Sequence, residues 1–147
     1  MSSCILLKNV SIIDGTGADP LLGASVVVEG MYIKDIFLRE NKFIPSGTAV
    51  LDCKHQTLLP GLIDAHVHMG PIDANISTQH RLYSNSMFVI KTLHVIRETL
   101  EQGFTTVRDC GGIDSGYREA IDQNFIPGPR LFIAGYAISQ TGGHGDV

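Results

Sequence analysis

The run Leu62-Ile63-Asp64-Ala65-His66-Val67-His68-Met69 decides how the rest of the chain is read. It follows the Pro60-Gly61 break and reads as a strand. Side chains on a strand alternate between its two faces, so Asp64, His66 and His68 are expected to share one face. Ile63, Ala65, Val67 and Met69 then share the other, which is apolar and suited to packing under helices. Two imidazoles at i and i+2 stand where they could bind one ion. The spacing alone is weak, because six histidines in 147 residues would give a His-x-His about 0.24 times by chance. The pair therefore reads either as metal ligands or as a surface or hydrogen-bonded pair.

Downstream of this strand the pattern is helical, then extended, twice over. Residues 80–102 carry a stripe of Leu82, Val89, Leu93, Ile96 and Leu100 within a narrow arc at 3.6 residues per turn. Gly103 is placed to end that helix in a left-handed conformation. Phe104-Thr105-Thr106-Val107-Arg108 is the next strand, and residues 115–124 form a short helix stopped by Pro127-Gly128-Pro129. Leu131-Phe132-Ile133-Ala134 is a third strand. Strands alternating with helices predict βαβ units and parallel pairing. A first strand in such a series gains weight as a site, because barrel sites sit at strand C-terminal ends.

Upstream, residues 1–58 read as short strands and turns. Ile5-Leu6-Leu7 and Val10 to Ile13 precede the Asp14-Gly15 and Thr16-Gly17 breakers. Ser25 to Glu29 and Tyr32 to Ile36 flank Gly30 as a hairpin with β-branched arms. Pro45-Ser46-Gly47 is a turn and Ala49 to Asp52 another strand, which together predict a small β-sandwich or barrel piece.

Composition narrows the class. A net charge of -4 without a Lys/Arg cluster argues against nucleic acid or an anionic membrane as a partner. No apolar run approaches the roughly 20 residues of a spanning helix, and the start lacks the basic flank and cleavage site of a secretory signal. Three widely spaced cysteines, Cys4, Cys53 and Cys110, do not make a disulfide framework. The expectation is a cytoplasmic protein.

The other polar residues have competing readings. His144, in the glycine-rich Gly142-Gly143-His144-Gly145-Asp146 segment, is either a ligand contact or a solvated loop residue. Arg108 and Asp109 either meet substrate or form an ion pair or helix cap, the structural role being favoured. His94 lies off the apolar stripe near Glu98 and Glu101 and reads as solvated, as do His55 and His80 in loops. Cys110 reads as a small buried residue. Gly111-Gly112 lacks the Lys-Ser/Thr of a phosphate loop.

The stretch Leu58-Leu59-Pro60-Gly61-Leu62-Ile63-Asp64-Ala65-His66-Val67-His68 resembles the opening of the metal-dependent amidohydrolase superfamily. Gly103-Phe104-Thr105-Thr106-Val107-Arg108-Asp109, Pro127-Gly128-Pro129-Arg130 and Gln140 to Asp146 are similar to its imidazolonepropionase-like and prolidase-like (Xaa-Pro dipeptidase-type) branch. Asp14-Gly15-Thr16-Gly17 resembles the branch's N-terminal sandwich. Two departures, Asn124 before the Pro-Gly-Pro turn and Met31 in the hairpin, lie away from the site.

The resemblance implies an α/β chain in two parts. Residues 1–58 would be half of a β-sandwich, and residues 59–147 the first three units of a (β/α)8 TIM barrel. Such a barrel needs at least about 200 residues to close, so the chain is expected to be an N-terminal fragment, inactive by itself. His66 and His68 would hold one divalent ion, zinc first among the alternatives, of two in the intact site. The remaining ligands implied by the family, a carboxylated lysine, two histidines and a final-strand aspartate, have no counterpart here. A metal-bound hydroxide would attack the carbonyl carbon of a dipeptide or N-acyl amino acid, and the C–N bond would break as the final-strand aspartate passes the proton to the leaving amine. His144 would contact the substrate or its oxyanion; strand alternation, rather than the resemblance, places Asp64 on the histidines' face, where it is expected to orient one of them from behind. A homo-oligomeric parent is expected. The alternatives are a cyclic-amide hydrolase of the imidazolonepropionase type, or a non-catalytic scaffold.

Overall fold

The computed structural model describes residues 4–38, 46–70, 73, 79, 81–136 and 138–143. The chain divides into two compact units at Pro60/Gly61.

The first unit is built around β1 (Cys4–Ile12), which is paired on both edges. On one side β2 (Leu21–Glu29) runs antiparallel to it, and β3 (Tyr32–Phe37) is antiparallel to β2. On the other side β4 (Ala49–Asp52) and then β5 (Thr57–Leu58) lie parallel to successive parts of β1. The expected hairpin is present, with Gly30 at φ +61° in its turn.

Two predicted strands, at Ile5 and at Val10, are one strand. The pairing with β2 slips between Leu7 and Val10, where Asn9 takes φ +57°, so the break is a bulge inside a continuous element. Asp52 braces that bulge by accepting from the Lys54 backbone N–H at 2.9 Å and from Asn9 Nδ2 at 3.0 Å. These bonds, the Lys54 amide foremost, hold its carboxyl below the usual range. Val10, Ile12, Ala24, Val26 and Cys53 form the core of this unit. Its described strands make one mixed sheet, where the sequence predicted a sandwich or barrel piece.

The second unit alternates as expected. It runs β6 (Leu62–Val67), α1 (Asn85–Glu101), β7 (Phe104–Asp109), α2 (Ser115–Asp122) and β8 (Arg130–Ile133). The three strands are parallel in the order β6-β7-β8. Both α1 and α2 are started by a side-chain cap: Ser84 Oγ accepts from Met87 N, and Asp114 Oδ1 from Gly116 N. Gly103, at φ +95°, ends α1 in the left-handed conformation its sequence position predicted.

Met69, Ile96, Val107, Ile113, Tyr117 and Leu131 are the buried core between sheet and helices. Gly128 lets the loop before β8 press into it, since a Cβ there would lie 2.8 Å from Ile96 Cγ2 and 2.7 Å from Ile121 Cδ1. The apolar stripe of α1 is only partly used. Ile96 is fully buried and Leu93 packs against the core, while Val89 is exposed. Leu82 precedes α1 and is 64% exposed. The helix begins later than the stripe because the cap at Ser84 sets its start.

Ile96→Ala should therefore lower stability by about 2–5 kcal/mol, whereas Leu82→Ala should stay within about 0.5 kcal/mol. Urea unfolding of the two variants measures this, and equal losses would contradict the burial difference.

Candidate functional site

The C-terminal ends of β6, β7 and β8 lie side by side, and the chemistry-bearing residues of this unit gather there. His66 is in β6 and His68 directly follows it. Their ring centroids are 5.3 Å apart, with the planes at 70°. Two imidazoles on one tetrahedral ion, each through one nitrogen about 2.0–2.1 Å from it, would have ring centres about 5 Å apart. The observed spacing fits that arrangement.

His68 is held by its other nitrogen. Nδ1 lies 2.9 Å from the Gly111 carbonyl oxygen, beyond the end of β7. A carbonyl can only accept, so this bond requires the proton on Nδ1, and in a neutral ring the lone pair is then on Nε2. Metal-bound histidines are commonly fixed in this way by a backbone carbonyl. Both rings are exposed. Among the described residues no third His, Cys, Asp or Glu joins them as a ligand set. The pair fits a divalent ion as part of a site.

Asp64 departs from the expected geometry. The ladder pairs Asp64 with Val107 and Val67 with Asp109. Three steps on β6 thus match two on β7, which is a bulge, and it reverses the alternation of faces. Asp64 consequently lies on the same side as Val67, lining a shallow pocket with Thr99 and Gln102 at the end of α1. Its Oδ1 accepts the backbone N–H of His66 at 2.9 Å, not a ring nitrogen. The predicted apolar face is altered likewise: Val67 and Met69 join the core, but Ile63 is 72% exposed.

Asp109 is fully buried and structural. Its Oδ2 accepts from Met69 N at 2.7 Å and its Oδ1 from Gly111 N at 2.9 Å. Arg108 does not pair with it; Arg108 Nε donates to the Ala65 carbonyl at 2.7 Å, beside the bulge. Cys110 is half-buried rather than buried, its thiol near the Ala65 and Arg108 carbonyls. His94 is exposed and pairs with Glu98 at 3.2 Å, and His55 is an exposed loop residue at φ +66°. His144 and His80 lie outside the described residues. The Asp109 and Gly111 contacts were not foreseen, and their only trace in the sequence is the Asp-Cys-Gly-Gly run that closes β7.

A model of the Amidohydrolase family matches residues 57–147, the stretch that holds β6 to β8 and both histidines. The chain belongs to that family. Over 141 residues it is 31% identical to an ochratoxinase of Aspergillus niger, covering 92% of this chain and 29% of that protein. It is also similar to the crystal structure of a prolidase complexed with N-methylphosphonate-L-proline. There the identity is 33% and the TM-score 0.85, over 98% of this chain and 35% of the other. A Xaa-Pro dipeptidase with methionine in its active site gives 34% identity and a TM-score of 0.76, over 98% and 36%. The chain thus spans about a third of the length of the relatives it matches.

The route by which Asp64 reaches His66 is testable. Asp64→Asn keeps an acceptor for the His66 amide and should resemble the wild type in stability and metal content. Asp64→Ala should lose about 0.5–1.5 kcal/mol. Metal loss in both variants alike would show that the carboxylate acts on an imidazole instead.

Proposed function

We propose that this chain forms the opening of a (β/α)8 barrel in a divalent-metal-dependent hydrolase. The bond cleaved would be the C–N bond of a dipeptide or an N-acyl amino acid. In this reading residues 1–58 are half of the accompanying sandwich, and β6 to β8 are the first three barrel strands. The parallel order β6-β7-β8 supports it, as does the likeness to prolidase and dipeptidase structures about three times as long.

One observation carries the reading. His66 and His68 stand 5.3 Å apart at the C-terminal end of the first parallel strand, with His68 Nδ1 already engaged and its Nε2 free. Neutral imidazole nitrogens suit zinc above the harder cations. A divalent ion, when bound, supplies Lewis acidity toward the scissile carbonyl and lowers the pKa of water.

The chain's own residues have simpler tasks. His66 and His68 hold the ion, and Asp64 sets the His66 backbone. His144 contacts the substrate or the oxyanion formed from its carbonyl. The prolidase and Xaa-Pro dipeptidase relatives favour a dipeptide, and a proline-containing one is the first substrate to try.

In the full-length protein, Xaa-Pro dipeptides and N-acyl amino acids should be hydrolysed, and chelation should abolish turnover. His66→Ala and His68→Ala should each bring hydrolysis to background and lower metal stoichiometry by elemental analysis. His144→Ala should reduce kcat by about 10²–10³-fold if it is a single oxyanion donor, with metal content unchanged. Metal content and activity both intact in the His66→Ala/His68→Ala double variant would remove the ligand assignment.

A further inference from the structure

We propose that Asp109 is a positioning residue for His68, acting through the Gly111 carbonyl. The proposal rests on the reading of His68 as a metal ligand and goes one shell beyond it. Asp109 sits at the last position of β7, fully buried two residues after the core residue Val107 and so on the same face of the strand. Its two carboxyl oxygens have different partners: Met69 N, the residue after His68, and Gly111 N, the residue whose carbonyl meets the His68 ring. One side chain therefore grips the backbone on both sides of the imidazole–carbonyl contact.

The surrounding backbone allows little else. Gly111 and Gly112 take φ +148° and +123°, conformations that favour glycine. Gly70 packs so closely on Gly112 that a Cβ at Gly70 would lie 2.3 Å from the Gly112 carbonyl oxygen. The loop after β7 is thus packed against the segment after β6 at Gly70 and tied to it by Asp109. Asp109 never touches the ring. It fixes where the Gly111 oxygen stands, and that oxygen selects the tautomer with Nδ1 protonated and Nε2 free.

An amide cannot replace this carboxyl group. Asparagine offers one acceptor and a donor, so in Asp109→Asn either Met69 N or Gly111 N would face an NH2 group.

The test uses the full-length protein, metal-free and labelled with ¹⁵N-histidine, at a pH where imidazole is neutral. Long-range ¹H–¹⁵N spectra report which ring nitrogen of His68 carries the proton, and zinc titration gives the affinity. The wild type should show His68 with Nδ1 protonated. Asp109→Asn should show a mixture of tautomers and bind zinc about 10- to 100-fold more weakly. Ile96→Ala, which loosens the same core without touching the ties, should keep the wild-type tautomer.

Wild-type His68 protonated on Nε2 overturns the proposal by itself, whether or not Asp109→Asn folds. So does a folded Asp109→Asn with unchanged tautomer and zinc affinity, or an Ile96→Ala with the same tautomer mixture. Failure of the metal reading is separate: the Nδ1 tautomer would persist, but His68→Ala would leave zinc binding unchanged.

Discussion

Three parallel strands have no turn joining their neighbouring ends, so the place where they stop is held by contacts other than a connecting turn. In this unit that task falls to Asp109. Its side chain accepts the Met69 and Gly111 amides, and its own carbonyl accepts from Ala134 N at the end of β8. Backbone amides that leave a ladder inside a protein need new partners or cost about 1–3 kcal/mol each. One buried residue supplies them across all three strands.

The geometry of the histidine pair follows from that constraint. Once the segments after β6 and β7 are tied together, the Gly111 carbonyl lies within hydrogen-bond reach of His68. The bulge in β6 does the complementary work on the preceding residues. By inserting one residue against β7 it turns Asp64 toward α1, and Asp64 then bonds the His66 amide. The two rings are thus steadied in two ways, one through its own nitrogen and the other through its backbone.

Much of this was legible in the sequence, and the exceptions share a cause. The Gly30 hairpin, the end of α1 at Gly103 and the alternation giving three parallel strands each depend on residues within a few positions of one another. Glycine conformation and local periodicity report such features directly. The later start of α1 and the exposed Leu82 were missed, because an apolar stripe shows which face is greasy but not how far the partner surface extends. The single strand through Asn9 was read as two for a similar reason. Its continuity depends on β4 and β5, some forty residues away, and on Asp52 reaching back to brace the bulge.

The sequence by itself determined the element types, the family and the two histidines two residues apart at the end of one strand. Each of these is written in local pattern, where covalent spacing and backbone preference act. Only the tertiary structure decided which way Asp64 faces and what holds His68. Facing is set by how β6 registers against β7, and the His68 bond joins residues 43 positions apart. A one-residue slip in pairing reverses every side chain beyond it, and no local spacing records on which strand that slip occurs.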